Sequence, residues 1–326
     1  MLFRQLEYFV AVAREQHFAR AAEACYVSQP ALSAAIVRLE RELSVTLINR
    51  GHNFEGLTPE GERLVVWAKR ILAEHDAFKA EAVAMKSGIA GTLRLGTGPT
   101  VSTTTGLPVA AFCSLHPLAK VRVCSRLTST ELRRQLRDFE LDAAIAHFDA
   151  ADHEGLEVVP LYEERYVLLV SGDQLAPASR EIAWSEAARL PLALLSPDMR
   201  FRQFIDNAFR GCGVTAAPQV ETDSVASLYA HVATGAWASV VPHTWLRAIP
   251  VTGSTGAGQT RAIRLVKPDA VAQISVAIRA GNPASAAARS FLEVASDLLL
   301  DHVFETEATG LMSALYFPNW FLRLLP

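Results

Sequence analysis

Cysteine is scarce in this chain, and long apolar runs and an excess of basic charge are both missing. Four cysteines in 326 residues are too few for the disulfide framework of a secreted protein. No stretch approaches the roughly 18 uninterrupted apolar residues that predict a membrane-spanning helix. The first residues, among them Arg4 and Glu7, lack the basic, apolar and small-residue order of a secretory signal. We therefore expect a protein of the reducing cytoplasm without a membrane partner.

The overall charge gives no support to nucleic-acid binding. The formal net charge is −3, and the first 59 residues contain six arginines and six glutamates. A hypothesis of DNA binding must therefore rest on motif geometry rather than on bulk charge. The chain length suits two or three domains.

The first 59 residues show short helical patterns. The predicted elements are an apolar face of Leu6, Phe9, Val10 and Ala13, an alanine-rich helix over 18–25, and a face of Leu32, Ile36, Leu39 and Leu43. A tight turn over 26–30 separates the last two helices, which is typical of a helix-turn-helix. Residues 47–59 follow as a short wing. The sequence thus predicts a winged helix-turn-helix DNA-binding domain over 1–59.

The third helix has the features of a recognition helix. A serine or glutamine at 28–29 is a suitable N-cap, and proline at 30 suits the first turn. The face opposite the apolar one presents Gln29, Pro30, Ser33, Ala34 and Val37. In the major groove glutamine pairs with adenine, serine bonds to either base type, and apolar groups contact thymine methyls.

A long helix is predicted over 60–87, with Thr58 as its cap and Pro59 in its first turn. Its apolar positions alternate four and three apart, and they are Leu64, Ala68, Ile71, His75, Phe78, Ala82 and Met85. This heptad pattern favours a linker helix that pairs two copies of the chain. The alternative is a helix packed on its own domain.

From residue 92 onward, strands and helices alternate, which predicts an α/β fold with mainly parallel sheets. Strands are predicted over 92–96, 121–125, 143–146, 166–170, 239–241 and 274–278, and helices over 103–115, 129–139, 201–210, 224–234 and 286–300. We expect two lobes, lobe I over 91–162 plus 268–302 and lobe II over 163–267, with a flexible loop over 251–260. The apolar extension 303–326 either docks on a surface or is disordered, and the sequence leaves both open.

The N-terminal motifs resemble those of LysR-type transcriptional regulators. The resemblance rests on Leu6–Ala13, Phe18–Glu23 and Val27–Ser33, on Leu39, Glu40, Leu43, Leu47 and Arg50, and on Leu57–Glu62. It implies a winged helix-turn-helix, a dimerising linker helix and a two-lobed effector domain like that of type 2 periplasmic binding proteins. It also implies a homo-oligomer, a dimer or a tetramer, on double-stranded promoter DNA, with RNA polymerase as a further partner.

The chain departs from the family pattern at some DNA-facing positions. His17 and Ala19 stand where serine and threonine are frequent, and His52 and Asn53 stand in a wing that usually carries arginines. Fewer cations imply fewer phosphate contacts and a shallower salt dependence. The predicted DNA-binding residues are Ser28, Gln29, Pro30, Ser33, Ala34, Val37, Arg38, Arg20, Arg50, His52 and Asn53.

Effector residues are expected where strands end and helices begin, since clefts of α/β lobes lie outside the carboxyl ends of their strands. The candidates are Thr100, Ser102, Thr128, Thr130, His147, Phe148, Arg200, Phe201, Arg202, Thr222 and Ser224. The segment 96–105 offers N–H groups and hydroxyls to an anion. Arg200 or Arg202 would clamp a carboxylate effector, although a surface salt bridge is the alternative for each.

Other chemistries find little support. The family includes peroxide sensors with a cysteine near position 201, where this chain has Met199–Arg202. Cys113 and His116 lack the second ligand pair of a zinc site, and no Gly-x-Ser-x-Gly elbow indicates a hydrolase. We expect no cofactor, metal or catalytic residue. The remaining alternatives are a solute-like binding protein with lost or weak DNA reading and an interaction protein with an empty cleft.

Overall fold

The computed structural model describes residues 1–50, 54–125, 127–172, 175, 179–247, 260–281, 285–300 and 304. The chain divides into two compact units. The first contains 1–89 with 137–140, and the second contains 90–136 and the residues from 141 onward. No helix among the described residues is long and apolar enough to cross a membrane.

The first unit is a winged helix-turn-helix followed by a long helix. Its elements are α1 (Phe3–Glu15), α2 (Phe18–Ala24), α3 (Gln29–Leu43), β1 (Ile48–Arg50), β2 (Phe54–Leu57) and α4 (Pro59–Ser87). β1 and β2 pair in an antiparallel hairpin, which forms the wing. The buried face of α1 is rotated from the predicted one, because Ala11 and Val12 are buried while Val10 and Ala13 are half-buried.

Capping side chains fix the helix starts in this unit. The Nδ1 atom of His17 accepts hydrogen bonds from the N–H groups of Ala19 and Arg20 at the start of α2. The hydroxyl of Thr58 caps α4 by accepting from Gly61 N at 2.9 Å. A Cβ atom on Gly61 would lie 2.0 Å from the carbonyl oxygen of Leu47. Glycine is therefore required where α4 passes the start of the wing.

The apolar heptad positions of α4 are buried or half-buried near the start of the helix and exposed towards its end. Ala68 is buried, and Leu64 and Ile71 pack against the core of the same unit. The ring of His75 stacks on Phe3 with a centroid distance of 3.9 Å. Farther along, Phe78 is 75% exposed and Met85 is 79% exposed. The helix thus packs on its own domain over its first half and presents apolar groups over its second half.

The second unit is built on one large sheet. Its elements are β3 (Gly91–Thr97), α5 (Gly106–Leu115), β4 (Ala119–Cys124), α6 (Ser129–Arg137), β5 (Ala143–Ala146), β6 (Leu156–Ser171), β7 (Glu181–Ala183), α7 (Trp184–Ala187), β8 (Ala193–Leu195), α8 (Arg200–Gly211), β9 (Val220–Thr222), α9 (Val225–Ala233), β10 (Ser239–Pro242), β11 (Thr260–Val266), β12 (Val271–Arg279) and α10 (Ala286–Asp297). The sheet order is β4-β3-β5-β12-β6-β11-β7, with β10 also paired to β6. β8 and β9 form a separate parallel pair.

The prediction of mainly parallel sheets was wrong. β3 pairs in parallel with β4 and β5, but β10, β11 and β12 all run antiparallel to β6. The physical reason is that β6 is a 16-residue strand that receives the returning strands on both of its halves. Its first half pairs with β12 and its second half with β10 and β11, so β6 joins the two halves of the sheet.

The start of α5 also differs from the prediction. Residues 100–103 form a short 3-10 helix, and α5 begins only at Gly106. The predicted loop 251–260 lies outside the described residues apart from Thr260, which begins β11. The extension 303–326 lies outside them apart from Phe304, whose buried ring contacts Tyr162 at a centroid distance of 4.7 Å.

Candidate DNA interface and effector cavity

The solvent face of α3 carries most of the predicted base-reading residues. Ser28, Gln29, Pro30, Ala34 and Arg38 are exposed, and Ser33 and Val37 are half-buried. The opposite face is anchored by Leu32, Ile36 and Leu39, none of which is accessible to solvent. The side chains on the exposed face therefore face solvent and are not needed for packing of the core.

Two polar side chains stabilise the two ends of α3. The hydroxyl of Ser28 caps the helix by accepting from Ala31 N at 3.4 Å. At the other end, Glu40 Oε1 accepts from the N–H groups of Leu47 and Ile48 at 2.9 and 3.3 Å. Glu40 thereby ties α3 to the beginning of the wing. Ala35 faces the core and is only 4% exposed.

The predicted cations around α3 differ in their surroundings. Arg20 is exposed and donates to the carbonyl oxygen of Glu15 at 2.6 Å. Arg38 is exposed, and none of the described residues forms an ion pair with it. Arg50 ends β1, but its side chain lies outside the described part of the structure, as do His52 and Asn53.

The second unit contains a cavity of about 530 Å³. Five predicted effector residues line it, and these are Thr100, Thr128, His147, Arg200 and Phe201. They come from the carboxyl ends of β3 and β5 and from the starts of α6 and α8. Tyr166, Phe201 and Phe204 form an aromatic wall, in which the ring centroids of Phe201 and Phe204 lie 5.7 and 4.9 Å from that of Tyr166. The volume and lining are typical of a small-molecule site.

The other six predicted effector residues do not line this cavity. Ser102 is exposed and donates to the carbonyl oxygen of Pro99, Thr130 is exposed on α6, and Phe148 is buried in a hydrophobic core. The Thr222 hydroxyl accepts from Ser224 N at 3.2 Å, and the Ser224 hydroxyl caps α9.

Arg202 is also absent from the cavity lining. Its side chain is buried and forms ion pairs with Asp206 and Glu221 at 2.9 and 2.8 Å. It also donates to the carbonyl oxygen of Leu195. These contacts give Arg202 a position that ties α8 to β8 and β9.

Arg200 reaches the cavity, but its charge is already paired. It forms an ion pair with Asp149 and a longer one, at 3.9 Å, with Asp152. Burial, together with the charge of Arg133, lowers the pKa of Arg200. His147 completes the cluster, with Nε2 at 2.9 Å from Asp149 Oδ1 and Nδ1 at 3.0 Å from the carbonyl oxygen of Gln273.

Glu164 is a cavity residue that the sequence reasoning missed. It lies on β6, is only 1% exposed and lines the cavity. Burial raises the pKa of its carboxyl to about 8, and the hydrogen bond that Thr244 donates to Oε1 at 3.3 Å only partly opposes this shift. The sequence pattern offers little sign of Glu164, because Pro160 precedes it by four residues and a proline argues against a central strand.

A buried hydrogen bond holds the backbone of a cavity-lining residue to the neighbouring core. The indole N–H of Trp245 donates to the carbonyl oxygen of Thr100 at 2.7 Å. Thr100 lines the cavity, and Trp245 is fully buried in the core around the second half of β6. The two segments are therefore held together beside the site where a ligand would bind.

These features define a class of protein, a winged helix-turn-helix regulator with a ligand-sized cavity in an α/β domain. Comparison with known families agrees. Residues 3–62 match the helix-turn-helix domain of bacterial regulatory proteins of the lysR family, and residues 86–299 match the LysR substrate binding domain. The chain belongs to the LysR family of transcriptional regulators, and it is a DNA-binding regulator with an effector-binding domain.

Individual relatives support this assignment. The chain is 31% identical to a probable hydrogen peroxide-inducible genes activator of Streptomyces viridosporus, over 90% of this chain and 92% of the relative. A full-length OxyR variant from Pseudomonas aeruginosa superposes with a TM-score of 0.71 at 28% identity, covering 92% of this chain and 94% of that one. The LysR family regulator CbnR, at 24% identity and a TM-score of 0.64, covers 91% of this chain and 99% of its own and shows the same fold.

Proposed function

We propose that α3 reads promoter DNA in the major groove and that a small molecule in the cavity of the second unit modulates this binding. The observation that carries the proposal is the exposed polar face of α3. Gln29 projects into solvent at the start of the helix, and no hydrogen bond between its side chain and another described residue uses its amide. An amide in that position can form two hydrogen bonds with an adenine.

The proposed phosphate contacts come from the cations that flank α3. Arg38 is exposed on α3 itself and Arg20 on the neighbouring helix α2, and Arg50 stands at the end of β1. Arginine side chains position a protein on the DNA backbone without reading the sequence. Their small number predicts a shallow dependence of DNA affinity on salt.

The proposed assembly is a dimer or tetramer that forms through the helix over 60–87. Phe78 and Met85 are exposed on the second half of α4, and apolar side chains at this spacing form coiled-coil seams. Substitution Phe78→Ser should weaken self-association in analytical ultracentrifugation. Leu299→Ser, at another exposed apolar position, should leave it unchanged. The assembly would act in the cytoplasm, with RNA polymerase as its further partner.

The proposed effector is a small molecule that fits the cavity of about 530 Å³. The expectation of a carboxylate ligand depended on a free arginine, but Asp149 and Asp152 occupy Arg200. Peroxide sensing through a disulfide has little support. Met199–Arg202 contains no cysteine, and the thiol of Cys212 lies within hydrogen-bond distance of the carbonyl oxygens of Ala208 and Lys267.

The experiment is a selection from random DNA duplexes with the purified full-length protein at moderate salt. We expect enrichment of an interrupted inverted repeat with T- and A-containing arms, because two paired winged domains read two half-sites. A folded, oligomeric protein that enriches no sequence would contradict base reading by α3. That outcome would favour the alternative of a solute-like binding protein.

A further inference from the structure

Each helix that begins at the cavity has a carboxylate close to its positively polarised N-terminus. Three helices, α6, α8 and α9, begin beside cavity-lining residues. Glu131, in the first turn of α6, accepts from Thr128 N at 2.8 Å. Asp198 stands two residues before the start of α8, and Asp223 stands two residues before the start of α9. A carboxylate near the N-terminus of a helix compensates its dipole, so these ends do not require an anionic ligand.

The one arginine among the described lining residues is compensated as well. Arg200 forms ion pairs with Asp149 and Asp152, and Asp152 is shared with Arg133 at 3.0 Å. This cluster contains two guanidinium groups and two carboxylates, so its formal charge is balanced. An incoming carboxylate would have to displace a resident one from Arg200.

Glu164 is different, because its carboxyl has no cationic partner among the described residues. The hydroxyl of Thr244 is its hydrogen-bond donor, at 3.3 Å. A buried carboxyl with one weak donor is the group in this cavity that gains most from an opposite charge. A ligand cation would allow this carboxyl to ionise inside the cavity, whereas a ligand anion would not.

The wall beside Glu164 suits the body of such a ligand. Tyr166 lies two residues farther along β6, and both side chains line the cavity, as alternate residues of a strand share a face. Phe201 and Phe204 pack near the ring of Tyr166. Aromatic faces attract cations and also bury apolar groups.

We propose that the cavity binds an organic ammonium ion with an apolar or aromatic body, and that Glu164 is the residue that recognises the ammonium group. This inference rests on the proposed function of the cavity as the effector site. It assigns the chemical class of the effector and names the residue that selects it.

The test compares three phenyl compounds with a two-carbon side chain that differ in the charge of the terminal group: phenethylamine, phenylacetate and 2-phenylethanol. Binding to the full-length protein is measured by isothermal titration calorimetry. We expect phenethylamine to bind at least about tenfold more tightly than either of the other two, which is a difference that calorimetry resolves. The proposal is overturned if phenylacetate binds more tightly, or if phenethylamine shows no binding up to about 10 mM.

Two matched variants locate the effect. Glu164→Gln keeps the shape and a hydrogen-bond acceptor but cannot ionise to pair with an ammonium group, and we expect it to weaken phenethylamine binding at least about tenfold. Glu163→Gln is the control. Glu163 occupies the adjacent, exposed position of β6, so this substitution should leave the affinity for phenethylamine unchanged. Equal affinities of the Glu164→Gln variant and the unsubstituted protein would overturn the role of Glu164. A thermal melt of each variant separates lost binding from lost folding.

The DNA selection reports separately on the proposed function. Enrichment of a duplex whose affinity responds to phenylacetate but not to phenethylamine would leave the regulator intact and overturn the ammonium inference. Phenethylamine binding that depends on Glu164, without enrichment of any duplex, would support the inference and contradict DNA regulation.

Discussion

The two units of this protein carry their functional groups in opposite ways. In the first unit, the side chains that face DNA are exposed, and the fold is held by a separate buried set such as Leu32 and Ile36. In the second unit, the groups that line the cavity are themselves part of the packing. Glu164 is buried and Arg200 is tied into an ion-pair cluster. Substitutions in the first unit can therefore separate binding from stability, whereas those in the cavity change both.

The largest effect in the first unit is expected for Gly61→Ala, which tests the close packing of α4 against the start of the wing. The added Cβ would lie 2.0 Å from the Leu47 carbonyl oxygen, and backbone cannot yield without disturbing the wing. We expect a loss of about 3 kcal/mol or more in the free energy of unfolding. Thermal denaturation followed by circular dichroism measures it. Gly211→Ala is the control, because its Cβ meets no atom within 4 Å, and equal melting temperatures for the two variants would contradict the packing described.

The second unit predicts a stabilising substitution. Burial raises the pKa of Glu164 from 4.5 to about 8, so the folded protein keeps a proton that the unfolded chain releases. The stability due to this group is fully present below about pH 4.5 and is lost as the pH rises towards 8. Glu164→Gln should therefore be more stable by about 3 kcal/mol near pH 7.

Urea unfolding of the two proteins at several pH values checks this difference. The difference should shrink as the pH falls and nearly vanish below about pH 4, because the carboxyl is then protonated in both the folded and the unfolded state. Burial also lowers the pKa of His243. This residue is present in both proteins, so its contribution to the pH dependence of stability cancels in the difference to first order. A stability difference that does not vary with pH would show that ionisation of Glu164 is not the cause.

Gln29→Ala tests the separation of binding from stability in the first unit. We expect a loss of about 1–3 kcal/mol in binding to the selected duplex, with the melting temperature unchanged because Gln29 is exposed. A scrambled duplex of the same length is the control and should bind almost as before. An equal loss on both duplexes would mean that Gln29 contacts the backbone rather than a base.

The smallest expected effect concerns the cap of α2. His17→Ala removes the acceptor for the N–H groups of Ala19 and Arg20 and should cost about 1 kcal/mol. His17→Ser supplies another capping oxygen and should recover most of that loss. Chemical denaturation of both variants measures the difference, and equal stabilities would contradict a capping role for this side chain.

The two units also differ in how much the sequence alone predicts. The helices of the first unit and the exposed face of α3 follow from apolar residues at helical spacing, since each helix buries one stripe. The buried Ala35 shows the limit of that reasoning, because a small residue carries little pattern. In the second unit the strand ends predict Thr100 and Arg200 as cavity residues, because ligands gather at the carboxyl edge of a sheet.

What the sequence does not predict depends on contacts between distant segments. The first half of β6 contains Pro160 and a pair of glutamates, so no strand was expected there, although the register shift of β12 beside Pro160 accommodates the proline. Glu164 was missed together with that strand. Arg202 was expected in the cavity because it opens the same helix as Arg200, but residues two apart on a helix point in different directions.

A hydroxyl-radical footprint of the full-length protein on the selected duplex tests most directly whether two copies of α3 recognise the promoter. If two paired winged domains read DNA through α3, the footprint will show two protected segments whose centres lie about one helical turn, or a whole number of turns, apart. Both segments should fade together in the Gln29→Ala variant. A single protected segment, or protection that is unaffected by the loss of Gln29, would contradict recognition of the promoter by two copies of α3.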